Sequence, residues 1–137
     1  MDDLVVWLRA QLDEDERIAR AACWDEQSDV WTARPPQASY ERYTVVDYCD
    51  DGVVAVTPEN ADAEGVGPHI AEHDPARVLR EVDAKRELLK IHRPYVPEAD
   101  QACLGCAGGI MFSSCPVICL LALPYADRPG FREEWRP

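Results

Sequence analysis

The chain has 137 residues, and 26 Asp and Glu against 14 Lys and Arg give a formal net charge of −12. That length fits one domain, and a 47% hydrophobic content is ordinary for a globular chain and too rich for a disordered one. The acidity argues against direct nucleic-acid binding, no apolar run reaches the roughly 18–20 residues of a membrane span, and the acidic start MDDLVVWLRAQLDEDE is unlike a secretory signal.

Residues 3–23 read as an amphipathic helix. Leu4, Leu8, Leu12, Ile18, Ala19 and Ala22 recur near helical spacing, Asp2 or Asp3 can cap the start, and Asp13–Arg17 forms a solvated face. From residue 30 to 57 the period falls to two, which predicts three short antiparallel strands at 30–34, 43–48 and 53–57. The Asp51-Gly52 dipeptide supplies the positive-φ positions of a tight hairpin turn. A sheet this small needs a helix over one face.

Residues 58–68 are polar and turn-rich. His69–His73 reads as one helical turn. A firmer helix over 74–92 opens with Asp74 at the cap and Pro75 behind it, and carries Val78, Leu79, Val82, Leu88 and Leu89 as its apolar stripe. His69 and His73 stand four apart, but the Asp74-Pro75 step draws the chain out of helical geometry there, which disfavours them as a metal pair.

Of the six cysteines, Cys23 and Cys49 read as small buried residues. The other four lie in CLGCAGGIMFSSCPVIC (103–119). Cys103-Leu-Gly-Cys106 followed by Ala-Gly-Gly is the pattern of a zinc knuckle, in which glycines turn backbone N–H groups toward thiolates. Zinc takes four tetrahedral ligands drawn from Cys and His. Cys115 suits the third position, since Ser114-Cys115-Pro116 reads as a helix start whose dipole favours a thiolate. The fourth has two candidates, His92 at the end of the preceding helix and Cys119 one turn beyond Cys115. His92 is preferred, because Cys119 sits in an apolar run where a small buried residue suffices. Without a signal peptide the default compartment is the reducing cytoplasm, where disulfides rarely persist, and no βαβ pattern surrounds the pair to suggest redox chemistry.

Residues 116–123 form a short apolar helix stopped by Pro124. Arg128-Pro129-Gly130-Phe131 suits a type II turn, and Phe131–Trp135 then folds two rings back onto the body. The expected class is α+β in a single domain over 1–137. It comprises an N-terminal helix, a small three-stranded antiparallel sheet, a central helix, a zinc-knuckle loop within 92–119, and a C-terminal helix with its tail over 116–135.

The blocks LVVWLRAQLDEDERIARAA, HIAEHDPARVLREVDAKRELLKIH (69–92) and LLALPYADRPGFREEWRP (120–137) carry a resemblance. They resemble an uncharacterised family of small acidic proteins from high-GC Gram-positive bacteria and their phages, marked by the LALPYAD…REEWRP ending. The resemblance covers about half the chain and implies no reaction, substrate or catalytic residue. It implies a helix-end His, a C-x2-C and a Cys-Pro before the last helix in some relatives, matched here by His92, Cys103, Cys106 and Cys115. Cys119 lies outside that pattern, which favours His92 as the fourth ligand. Others lack the cysteines, so zinc would embellish the family rather than define its activity.

Phosphate-binding, dinucleotide-binding and nucleophile-elbow motifs are missing. The expected role is therefore a non-enzymatic protein-interaction or regulatory module in the cytoplasm, with zinc as a structural cofactor. Leu104, Ala107, Ile110, Met111 and Phe112 make an apolar rim, and no Lys or Arg lies between Arg93 and Arg128. Such a rim suits a protein partner or a second copy of the chain, not nucleic acid or a membrane. Two alternatives stand beside this. One is an acidic mimic of nucleic acid that blocks a DNA-binding protein; the other is a metal-dependent enzyme whose site keeps one open position.

Overall fold

The computed structural model describes residues 1–57 and 65–137. In chain order it contains α1 (Asp2–Ala21), β1 (Thr32–Arg34), β2 (Thr44–Val46), β3 (Gly52–Ala55), α2 (Val66–Glu72), α3 (Pro75–Ile91) and α4 (Pro116–Ala122). Single 3-10 turns follow the loop and α4, at Phe112–Ser114, Leu123–Tyr125 and Glu133–Trp135. The class is α+β. The described residues group into two compact units, one of Met1–Asp15 with Glu81–Pro137 and one of Glu16–Arg80.

The second unit holds the sheet. Its strands run β1-β2-β3, all antiparallel, with Thr32 opposite Val46 and Arg34 opposite Thr44 on one side of β2. On the other side Val45 faces Val54 and Val46 faces Gly52, a one-residue irregularity. Val45 and Val46 are buried, and α2 packs on β1 and β2, which supplies the helical cover that three short strands require. A Cβ on Gly67 of α2 would lie 2.3 Å from the Tyr43 ring, so only glycine lets that helix sit so close.

The hairpin between β2 and β3 differs from the expected one. Gly52 lies within β3, and the positive φ of +62° falls on Asp50. The cause is Asp47: its Oδ1 accepts the N–H groups of Cys49 and Asp51, both at 2.9 Å, which winds the chain through an Asx-type turn. Cys49 is consequently exposed on this turn and not a buried core residue, and Cys23 is half-buried, its thiol donating to the Ala19 carbonyl. The region 58–68 lies in part outside the described residues; from 66 onward it is already α2.

At the start of α3, Asp74 Oδ1 accepts the Arg77 N–H at 2.9 Å, an N-cap bond with Pro75 in the first helical position. His73 is the last residue of α2's C-cap, with ψ of 39°, and its Nδ1 stands 2.8 Å from the His69 carbonyl.

The first unit is built on one stripe of α1. Leu4, Leu8 and Leu12 are wholly buried at four-residue spacing and share a core with Val82, Leu89, Phe112, Ile118, Ala122, Tyr125 and Trp135. Ile18, assigned to that stripe by spacing, is instead half-exposed. The α4 helix ends at Ala122, and Pro124 is accommodated in a 3-10 turn, where its missing N–H leaves no bond unmade. Phe131 N–H then donates to Arg128 O with Gly130 at φ +87°, a type II turn. The turn returns Phe131 and Trp135 to Trp7, with ring centroids 5.7 and 5.3 Å from it, and Trp7 Nε1 donates to the Pro129 carbonyl.

Candidate metal centre

Three segments of the first unit bring four ligand-type side chains together. His92 follows α3 directly, its N–H still donating to Leu88 O, so the helix end aims the imidazole. The segment 101–112 folds back on itself: Cys103 N–H donates to Ile110 O at 2.8 Å, and Phe112 N–H to Gln101 O at 2.8 Å. Leu104 N–H donates to Arg93 O at 2.9 Å, which ties this ribbon to the residue after His92. Gly108 and Gly109, at φ +79° and +73°, form its tip. Cys103 and Cys106 are joined by a tight turn, Cys106 N–H donating to Cys103 O. Cys115 is the N-cap residue of α4, extended at ψ 113° with Pro116 behind it.

Glycine at position 105 serves a different need from the tip glycines. A Cβ there would lie 2.7 Å from His92 Nδ1, so the bare backbone is what admits the ring.

The ligand atoms of His92, Cys103, Cys106 and Cys115 all lie within 4.8 Å of one another. The sulfurs of Cys103, Cys106 and Cys115 stand 3.5, 3.5 and 3.4 Å from His92 Nδ1. Cys115 Sγ is 3.7 Å from Cys103 Sγ and 3.6 Å from Cys106 Sγ, far beyond a disulfide bond, and all six cysteines are free. His92, Cys103 and Cys115 are buried and Cys106 is half-buried. Such a cluster could hold a metal ion.

Burial, and then the adjoining Cys115 and Cys103 sulfurs, push the Cys106 thiol up to about 12. Three thiolates this close repel one another, and a bound dication reverses that balance by favouring the deprotonated form. Cys119 is not in the cluster; burial raises its thiol, with Cys115 adding to the shift. His69 and His73 belong to no such group among the described residues.

Residues 1–137 match the model of a family described as a family of unknown function, DUF6221. The chain belongs to this family. No curated protein and no solved structure matches it. Membership supplies no reaction. No described helix is long and apolar enough to cross a membrane.

Sequence reasoning missed one feature of the centre. Gly105 reads from the sequence as a φ requirement, whereas the structure uses it for space beside His92. The signal that could have found it is the crowding of a planar ring against a two-residue knuckle, which spacing alone does not express.

Proposed function

We propose that His92, Cys103, Cys106 and Cys115 hold one zinc ion, and that the chain works as a zinc-stabilised, non-enzymatic interaction module. The observation that carries this reading is the set of interatomic distances. A tetrahedral zinc with bonds of about 2.3 Å to sulfur and about 2.0 Å to nitrogen needs S···S edges of about 3.8 Å and S···N edges of about 3.5 Å. Three S···N edges are 3.4–3.5 Å and two S···S edges are 3.6–3.7 Å, and the remaining edge, Cys103 to Cys106, lies within 4.8 Å. A donor set of three thiols and one imidazole excludes the oxygen-seeking Ca²⁺ and Mg²⁺.

Four protein ligands complete a tetrahedron, so no position remains for an activated water, and the ion serves shape. It would clamp α3 to α4 through a ribbon that has few apolar contacts of its own. Such binding contributes its free energy to folding. The exposed Leu104 and Ile110 on that ribbon, 49% and 38% accessible, give the clamped loop an apolar face for a protein partner. Free thiols of this kind persist in a reducing compartment, and the cytoplasm fits.

Elemental analysis of protein purified without added zinc tests the proposal, paired with cobalt substitution. One zinc per chain and the absorption of a tetrahedral three-sulfur, one-nitrogen cobalt site are expected. A fully folded polypeptide free of metal would overturn it, and a cobalt spectrum showing an exchangeable water would move the centre into catalytic chemistry.

A further inference from the structure

The exposed face at the start of α1 carries an unusual order of side chains. Asp2 and Arg9 lie seven residues apart, which returns them to the same side of a helix, and Val5 and Val6 lie between them on that side. Val6 is 68% exposed. These residues line a cleft of about 270 Å³ together with Leu89, Phe112, Arg93 and the metal-cluster residue His92.

Arg9 and Arg93 both face this cleft, and neither forms an ion pair with any described residue in a chain holding 26 carboxylates. Asp2 likewise has no partner among the described residues. It cannot reach Arg9 on its own helix, because seven residues separate them by about 10 Å along the axis. Two unpaired guanidiniums and one unpaired carboxylate thus flank an apolar pair.

We propose that this face binds a second copy of the chain, with α1 packing antiparallel on its counterpart about a two-fold axis between Val5 and Val6. The argument is self-complementarity. A two-fold there sets Asp2 of each copy opposite Arg9 of the other, and sets Val5 of each copy against Val6 of the other. Both charges and both apolar residues are matched by one operation, which is the defining property of an isologous interface. A foreign acidic peptide would satisfy the arginines and leave Asp2 opposed. The inference rests on the face of α1 and not on the ion, so zinc content measured in the same samples separates its failure from failure of the metal reading.

The test is sedimentation equilibrium of the full-length, zinc-loaded chain from low to high micromolar concentration at physiological salt. A dimer is expected. Arg9→Asp places two like-charge contacts across the two-fold for one substitution and should weaken the dimer about tenfold or more. The double variant Asp2→Arg/Arg9→Asp reverses the order of charges on both copies and should restore it. All of these side chains are exposed, and circular dichroism confirms that each variant is folded. A monomer at every concentration would overturn the proposal and leave the face to a different polypeptide. So would a dimer that ignores Arg9→Asp, or a double variant no tighter than the single.

Discussion

A Cβ at position 105 would stand 2.7 Å from Nδ1 of His92, closer than a carbon and a ring nitrogen approach without displacement. The ring is buried among three sulfurs. Gly105→Ala should therefore push the imidazole off the position that completes the cluster. We expect the variant to fold, with stability lowered by about 1–3 kcal/mol and metal affinity by about tenfold or more. Competition with a chromophoric chelator measures the affinity, and Leu104→Ala, on an exposed neighbour, is the control. Equal affinities for the two variants would show that the crowding has no effect on the site.

The identity of the fourth ligand gives a second expected outcome. Removing the metal with a strong chelator at neutral pH should lower Tm by on the order of 10 °C or more, since metal binding is coupled to folding. His92→Ala should abolish stoichiometric binding. Cys119→Ala should retain one metal per chain and the chelator-sensitive melt, because its sulfur stands outside the cluster. Calorimetry with and without chelator on all three proteins decides this; loss of metal in Cys119→Ala would reassign the ligand.

Much of this arrangement was legible in the sequence, and the physical reason is locality. Cys103 and Cys106 at C-x2-C spacing, Cys115 before Pro116, and a histidine at a helix end are patterns that local backbone geometry produces. The same holds for Asp74-Pro75 at the start of α3 and Arg128–Phe131 as a turn. Features set by tertiary packing were not legible. Spacing placed Ile18 inside, yet the buried stripe of α1 passes to Ala19. Asp51-Gly52 looked like a turn, yet the reach of the Asp47 carboxylate moved the left-handed residue to Asp50. No periodicity reveals that Tyr125 and Arg128 converge on Asp15 more than a hundred residues earlier.

That last group yields a prediction with a sign in pH. Tyr125 Oη donates to Asp15 Oδ2 at 2.7 Å, Arg128 pairs with the other oxygen, and Lys85 Nζ donates to the phenol at 3.2 Å. Burial first, and then the Asp15 carboxylate, hold the phenol protonated well above its ordinary range. The neutral form is thus favoured in the folded state. Its contribution is fully present below the unfolded pKa of about 10 and declines as pH rises beyond it, because the unfolded chain releases the proton first. Tyr125→Phe should cost about 1–2 kcal/mol near neutrality by removing a donor from Asp15. The difference from wild type should shrink as pH climbs from about 10 to 11. Urea denaturation across that range checks both statements, and a constant difference would show that the phenol's proton is not linked to folding.

Asp74 joins two segments of the second unit through one carboxylate. Its Oδ1 accepts the Arg77 N–H at 2.9 Å and its Oδ2 accepts the Trp31 N–H at 3.1 Å, the latter 43 residues away in sequence. The side chain is buried, so both N–H groups depend on it and not on water. Asp74→Ala removes the cap and leaves a donor unsatisfied beside β1, which should cost about 2–3 kcal/mol. Asp74→Asn distinguishes the two bonds. Its amide oxygen can still cap Arg77, whereas the amide nitrogen cannot accept from Trp31, so its loss should fall between wild type and alanine. Urea midpoints at neutral pH provide the comparison. An asparagine variant as unstable as alanine would assign the whole effect to the Trp31 contact, and one as stable as wild type would assign it to the cap.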